Sequence, residues 1–136
     1  MSLTHFDDLI QAALGQPQPQ TLLMVFCTSE LPEDATAAQR THFERGHGGA
    51  LAPVVYIDKR ANELSTFAAL REEAAAQGHA WDMLFVAALS GEHGQHASAE
   101  TCAKMLKTMV EQVKTGNISR FLAANHNGDF VELHVG

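Results

Sequence analysis

Basic residues are scarce in this chain. Nine Lys and Arg stand against sixteen Asp and Glu, and the formal net charge at pH 7 is −7. Lys59-Arg60 is the only adjacent basic pair. Because nucleic-acid phosphates are bound by clustered Lys and Arg, the sequence predicts no nucleic-acid partner. The acidic balance favours solubility and says little else about function.

Long hydrophobic runs are also missing. No apolar run approaches the roughly 20 residues that a membrane helix needs, so no membrane contact is predicted. Residues 1–9 lack a basic segment followed by an apolar core, which indicates no signal peptide. The only two cysteines, Cys27 and Cys102, stand in apolar patterns typical of buried thiols in a reducing compartment, with a structural disulfide as the alternative. We therefore expect a cytoplasmic protein.

What the sequence does have is short, continuously apolar segments. The strongest covers residues 81–91, WDMLFVAALSG, and predicts a strand in the middle of a sheet that is covered on both faces. Residues 21–28 and 51–58 predict two further strands. Pro53 cannot donate to a strand ladder, so the strand that contains it begins near Pro53 or lies at a sheet edge.

Helices are predicted where apolar residues recur at three- and four-residue steps. These segments cover residues 4–14, 62–77 and 98–114, with a short additional helix in 34–45. The first helix is expected to begin at Thr4, because Thr4 and Asp7 have the spacing of a capping box. Residues 120–124 and 129–135 predict a closing hairpin, in which Asn127-Gly128 forms a two-residue type I′ turn.

Together these elements predict one α/β domain over residues 1–136, with α+β as the alternative class. We expect a mixed sheet of about five strands, with helices packed on it and a C-terminal β-hairpin. The strand–helix–strand order between residues 51 and 89 predicts a parallel, right-handed crossover. The pattern does not set the order of the strands in the sheet.

Polar loops follow two of the predicted strands, and both carry residue types that bind ligands. The first loop holds His42, His47, Gly48 and Gly49, and the second holds Ser90, Glu92, His93 and His96. Ligands of open α/β sheets bind beyond the carboxyl ends of strands. If the first and central strands run parallel, the two loops meet at one end of the sheet.

Two kinds of site are candidates in these loops. A divalent metal such as zinc would use the four histidines His42, His47, His93 and His96. A small ligand would use the glycine-rich segment and the strand end, which are His47, Gly48, Gly49, Ser90 and Glu92. We favour the interpretation that these are solvated loop residues, because His-x2-His in a glycine-rich loop lacks the spacing of zinc motifs. No cofactor is predicted, and a divalent metal is the alternative.

The whole chain resembles a small, uncharacterised proteobacterial protein family of about this length. The resemblance is carried by residues 31–36, 48–53, 67–70, 81–82, 87–91 and 116–118. Members of this family are often labelled "ribonucleotide reductase subunit alpha". The catalytic residues of the true reductase subunit map onto nothing in this chain, so none is carried over. The resemblance implies a bacterial, cytoplasmic protein of unknown function.

The sequence favours a non-catalytic cytoplasmic interaction or accessory domain over an enzyme, because no complete catalytic constellation is found. We expect a homodimer and an unknown protein partner. Val131, Leu133 and Val135 alternate along the last predicted strand, which would pair with a second copy across a two-fold axis. The alternative is a small metal- or ligand-binding protein or enzyme, with its site in loops 42–49 and 90–98.

Overall fold

The structure, a computed structural model, describes residues 3–30, 37 and 50–132. Its elements are α1 (Phe6–Leu14), β1 (Gln20–Glu30), β2 (Ala50–Arg60), a 3₁₀ turn (Ala61–Glu63), α2 (Phe67–Ala76), β3 (Met83–Ser90), α3 (Ala99–Lys114), β4 (Leu122–Asn125) and β5 (Phe130–Val131). The predicted helix in 34–45 lies outside the described residues, apart from Ala37. Among the helices of the described ranges, none has the length and apolar character needed to cross a membrane.

The five strands form one sheet in the order β2-β1-β3-β4-β5. Strands, covering helices and the C-terminal hairpin confirm the predicted fold class. The predicted mixed sheet is wrong in one respect, because each neighbouring pair is antiparallel. The predicted crossover does join two strands of the same direction, β2 and β3, but β1 lies between them. An apolar run reports burial on both faces and carries no information about which strand becomes the neighbour.

Strand β1 explains the layered core, because its side chains alternate between two separate clusters. Leu22, Met24 and Phe26 pack under α1 and α2, whereas Leu23, Val25 and Cys27 pack under α3. The same division runs through β3, whose Leu84 and Phe85 lie in opposite clusters. Residues 81–91 therefore do supply a mid-sheet strand covered on both faces, as predicted.

The cysteines confirm the expectation of buried thiols. Cys27 and Cys102 are both free and both buried in the core beneath α3. Burial raises the pKa of the Cys27 thiol to about 12. Since the thiolate is the reactive form, Cys27 is chemically inert in the folded protein.

Helix α1 begins one residue later than predicted. His5 is its N-cap: the ring Nδ1 accepts a hydrogen bond from the Asp7 N–H at 3.0 Å. The Asp8 carboxylate reaches back and accepts from the backbone N–H groups of Thr4 at 3.2 Å and His5 at 3.1 Å. These bonds, the one from Thr4 first, hold the pKa of Asp8 below its usual value. The capping box is real, but its members are shifted along the chain by one residue.

The closing hairpin is confirmed, but its turn is not the predicted two-residue type I′ turn. Asn125 N–H donates to the Asp129 carbonyl at 2.9 Å, which leaves three residues in the loop. Gly128 alone among the three has a positive φ, +88°. This is the geometry of a three-residue hairpin loop with glycine in its left-handed position. The Asn125 Oδ1 selects it by accepting from the N–H groups of Asn127 at 2.9 Å and Asp129 at 3.1 Å.

The outer edge of β5 is occupied by the beginning of the chain. Phe130 N–H donates to the Thr4 carbonyl at 2.9 Å, and Phe6 N–H donates to the Gly128 carbonyl at 2.8 Å. His5 strengthens this junction, because its Nε2–H donates to the Asn127 carbonyl at 2.9 Å. The described part of that sheet edge is therefore already paired.

The other sheet edge is β2, which confirms the edge position inferred from Pro53. The pairing register with β1 shifts between Phe26, opposite Val55, and Cys27, opposite Pro53. Val54 is thus the extra residue of a β-bulge. A proline and a bulge both hinder the addition of another strand at a sheet edge.

Candidate functional site

The structure does not support the reasoning that placed the two predicted site loops at the same end of the sheet, since that reasoning required β1 and β3 to be parallel. Strand β1 runs antiparallel to β3, with Gln20 opposite Ser90 and Cys27 opposite Met83. The carboxyl end of β1 therefore lies at the opposite end of the sheet from the loop after β3. The assumption of parallel strands was wrong, because β1 and β3 pair with each other in an antiparallel register. His42, His47, Gly48 and Gly49 lie outside the described residues.

The described loop after β3 is a tight turn. Glu92 and Gln95 exchange two backbone hydrogen bonds, of 3.0 and 2.9 Å. Between them, His93 has a φ of +53° and Gly94 a φ of +75°. Two consecutive positive values define a type I′ turn, and histidine is among the residues that tolerate this conformation. The exposed His93 is therefore a turn residue. The sequence analysis did not predict this turn, although the His93-Gly94 pair is a signal for it.

The polar atoms at the base of this loop are used to hold it in place. The Gly91 N–H donates to the Pro19 carbonyl at 2.8 Å. The Gln18 Oε1 accepts from the Gly94 N–H at 2.9 Å, and the Gln20 Nε2–H donates to the Ser90 Oγ at 3.1 Å. A side chain on Gly91 would overlap the Gln95 carbonyl. Ser90 therefore fastens the loop to the connector before β1.

A metal site finds no support within residues 3–30 and 50–132, where no three His, Cys, Asp or Glu side chains cluster as ligands. Of the four predicted histidine ligands, two are described. His93 is exposed and His96 is half-buried. The four-histidine site stays a prediction, since His42 and His47 lie outside the described residues.

The first concave site lies between the edge strand and the helix that follows it, and we call it the β2–α2 groove. Its volume is about 160 Å³. The floor is apolar and consists of Phe26, Val55, Ile57, Leu70 and Ala74. The rim is polar and consists of Asp58, Lys59, Glu73, Gln77 and His79. An apolar floor with a few polar groups around it is the usual form of a binding pocket.

A bidentate ion pair between Lys59 and Glu73 forms one side of this groove. The Lys59 Nζ donates to both Glu73 carboxylate oxygens, at 2.9 and 2.8 Å, and so ties β2 to α2. Asp58, the neighbour of Lys59, is exposed, and its carboxylate makes no hydrogen bond or ion pair with any residue of the described ranges. The sequence contained a signal for this pair, because Lys59 continues the alternation of Val55 and Ile57 on the face that the next helix covers. No spacing rule connects Lys59 to Glu73.

The second concave site lies at the end of the sheet that holds Gln20 and Ser90, and we call it the amide cleft. Its volume is about 180 Å³. Four residues with side-chain amides line it, namely Gln16, Gln18, Gln20 and Asn62. The remaining walls are Ala13, Leu14, Pro19, Ala61 and His96. Of the predicted ligand residues that are described, His96 lines this cleft, and none lines the β2–α2 groove.

No known protein family, no curated protein and no solved structure matches this chain. The class that the structure itself defines is a single α+β domain with an antiparallel sheet, on which the β2–α2 groove and the amide cleft are formed by described residues. The family resemblance stays a prediction.

Proposed function

We propose that this protein is a non-catalytic, cytoplasmic interaction domain whose β2–α2 groove holds one apolar side chain of a partner protein. The observation that carries the proposal is the groove itself. Its volume of about 160 Å³ is close to that of a cavity of about 150 Å³ that binds benzene. A Phe or Leu side chain has the matching size, and single apolar anchors of this kind dominate many interfaces.

The position of the groove favours capture of a side chain over addition of a strand. The groove opens beside β2, so a partner segment approaches it without displacing another described strand. The backbone edge of β2 is itself a poor template, because Pro53 lacks an N–H and Val54 forms a bulge. Charged residues at 58–60 close the other end of the strand.

The charges around the groove favour a partner with a Lys or Arg next to its apolar anchor. Lys59 is already neutralised by Glu73. The adjacent Asp58, whose side chain points to the other face of this edge strand, is exposed and has no ionic partner among the described residues. The chain as a whole carries a net charge of −7. Complementary charge adds specificity and speeds association more than it adds affinity.

The predicted homodimer is a separate proposal, and the structure directs it away from β5. The outer edge of β5 pairs with residues 4–6 through the bonds to Thr4 and Phe6. Leu133 and Val135, which were expected to contact the second copy, lie outside the described residues. Light scattering at high micromolar concentration tests self-association directly, and a monomer would contradict it.

A groove-filling substitution tests the proposed function. Ala74 lines the groove, whereas its neighbour Ala75 is exposed. Leu at position 74 occupies the space meant for the partner and retains high helix propensity, and Ala75→Leu is the matched control. We expect a partner that both wild type and Ala75→Leu capture from cell extract, and that Ala74→Leu captures at least ~10-fold less, equivalent to about 1.4 kcal/mol.

The captured partner must then satisfy a second condition. Truncation of a Phe or Leu beside a basic residue in that partner should remove binding measured with the two purified proteins. The proposal is wrong if every captured protein binds Ala74→Leu as well as it binds Ala75→Leu, provided that both variants give the circular dichroism spectrum of the wild type.

A further inference from the structure

We propose that the amide cleft is a binding site for a small uncharged molecule that carries a ring amide, with an N–H beside a C=O. This inference does not rest on the proposed function, because the cleft and the β2–α2 groove share no lining residue. It uses the Gln-Pro-Gln-Pro-Gln connector at 16–20, whose side-chain amides hold the loop after β3 and still keep polar atoms with no partner among the described residues.

The central recognition group is the amide of Gln20. This side chain is only 9% exposed, which is unusual for glutamine. Its Nε2 donates to the Gln18 carbonyl at 3.0 Å and to the Ser90 Oγ at 3.1 Å. These two bonds fix the plane of the amide. Its Oε1 receives no hydrogen bond from any described residue and remains as an oriented acceptor.

In each of the neighbouring glutamines, Gln16 and Gln18, one polar atom of the side-chain amide is hydrogen-bonded to the protein. The Gln18 Oε1 accepts from the Gly94 N–H at 2.9 Å, so its NH₂ group remains as a donor. The Gln16 Nε2 donates weakly to the Ala12 carbonyl at 3.4 Å, so its Oε1 remains as an acceptor. Across the cleft, Asn62 makes no side-chain hydrogen bond to the described parts of the chain. Donors and acceptors thus alternate along one wall.

This wall is held in place before any ligand arrives. Pro17 and Pro19 restrict the backbone torsions of the connector. The Gly91 N–H holds the Pro19 carbonyl at 2.8 Å. Groups that are already ordered lose little conformational entropy when a ligand binds. Since side-chain amides read the donor–acceptor edges of nucleobases with two hydrogen bonds, a ring amide is the complementary ligand.

Charge and size define the ligand further. No Asp, Glu, Lys or Arg lines the cleft, and its one ionisable side chain is that of His96, so the lining favours an uncharged ligand over one that needs a permanent counter-charge. The volume of about 180 Å³ slightly exceeds that of the cavity of about 150 Å³ that holds benzene. A single six-membered ring with a few substituents has this size. Apolar contact with its faces is available from Leu14, Pro19 and Ala61.

Two probes of almost equal shape test the proposal. Uracil presents ring N–H groups beside carbonyls, whereas 1,3-dimethyluracil keeps the ring and lacks both N–H groups. We expect uracil to produce saturable NMR shifts in the side-chain NH₂ signals of Gln18 and Gln20, with half-saturation near ~1 mM, a range that eight heavy atoms reach at ordinary ligand efficiencies. Dimethyluracil should bind at least ~10-fold more weakly, because the acceptors of the cleft would receive no hydrogen bond.

Variants separate recognition from loss of structure. Gln20→Leu removes the oriented acceptor together with the bonds to Gln18 and Ser90. Asn62→Ala is the cleaner variant, because it removes an exposed amide that makes no side-chain hydrogen bond to the described residues. Both should weaken uracil binding, whereas Gln11→Leu, on the exposed side of α1, should not. The proposal is overturned if uracil gives no saturable shifts. It is also overturned if the two probes bind equally, or if Asn62→Ala and Gln20→Leu both bind uracil like the wild type.

Discussion

Replacement of Thr21 by valine should stabilise this protein. Thr21 lies in β1, is 2% exposed, and its Oγ1 has no hydrogen-bond partner among the described residues. A buried hydroxyl without a partner costs about 1–3 kcal/mol, and valine has nearly the same shape. Valine is also at least as favourable in a strand. We therefore expect the free energy of unfolding to rise by about 1–2 kcal/mol.

Urea unfolding followed by circular dichroism measures this change. With a denaturant slope of roughly 1–3 kcal/mol per molar for a small protein, the midpoint should rise by about 0.3–2 M while the slope stays constant. The melting temperature should rise by about 3–8 °C. Thr28→Val is the matched control in the same strand, because Thr28 is only half-buried, and its effect should remain within about 0.5 kcal/mol. An unchanged or lower stability of Thr21→Val would show that the hydroxyl is satisfied in solution and would refute the reasoning.

Three further outcomes are expected. Gly91→Ala should lower the free energy of unfolding in urea by about 2–4 kcal/mol, because the added Cβ overlaps the Gln95 carbonyl; a loss below about 0.5 kcal/mol would mean that the loop adapts freely. His5→Ala removes the helix cap and the bond to the Asn127 carbonyl and should cost about 1–2 kcal/mol in the same assay. His5→Asn retains a capping oxygen and should cost less, so equal losses would contradict the role of the cap. Cys27 should resist alkylation at pH 8 in the native state and react after unfolding, as measured by mass spectrometry, since burial raises its pKa to about 12; rapid native labelling would contradict this.

The core could be predicted from the sequence because burial leaves a direct mark on side-chain type. The apolar runs at β1 and β3 require cover on both faces, and the structure places α1 and α2 on one face and α3 on the other. Strand direction leaves no such mark. The direction of a strand depends on which strand it pairs with. Strand β1 occupies the position beside β3 that the predicted crossover had assigned to β2.

The turns show how far local sequence signals extend. Asn127-Gly128 correctly predicted a reversal of the chain, but the register was decided by the side chain of Asn125 two residues earlier. In the loop after β3, the pair His93-Gly94 forms the type I′ turn that was expected at the hairpin. A dipeptide predicts that the chain turns, whereas the surrounding hydrogen bonds decide which residues occupy the left-handed positions.

Neither concave site could be predicted from the loops that were singled out as candidates. The β2–α2 groove joins residues of a strand and a helix that meet through core packing and through the ion pair of Lys59 and Glu73. The amide cleft joins the end of α1, the connector, the 3₁₀ turn and His96. Each requires the sheet order and the helix positions to be known first, because the lining residues come from segments far apart in sequence.

The junction between residues 4–6 and the closing hairpin has a consequence for how the chain folds. The bond from His5 to the Asn127 carbonyl spans 122 positions of the sequence. Contacts of such long range slow folding, because a large loop must close before they contribute any free energy. During synthesis, α1 can form early, but the hairpin that holds its first turn leaves the ribosome after the other described elements. That edge of the sheet is therefore paired only after the hairpin has been made, and until then the apolar face of α1 depends on its contacts with the rest of the core.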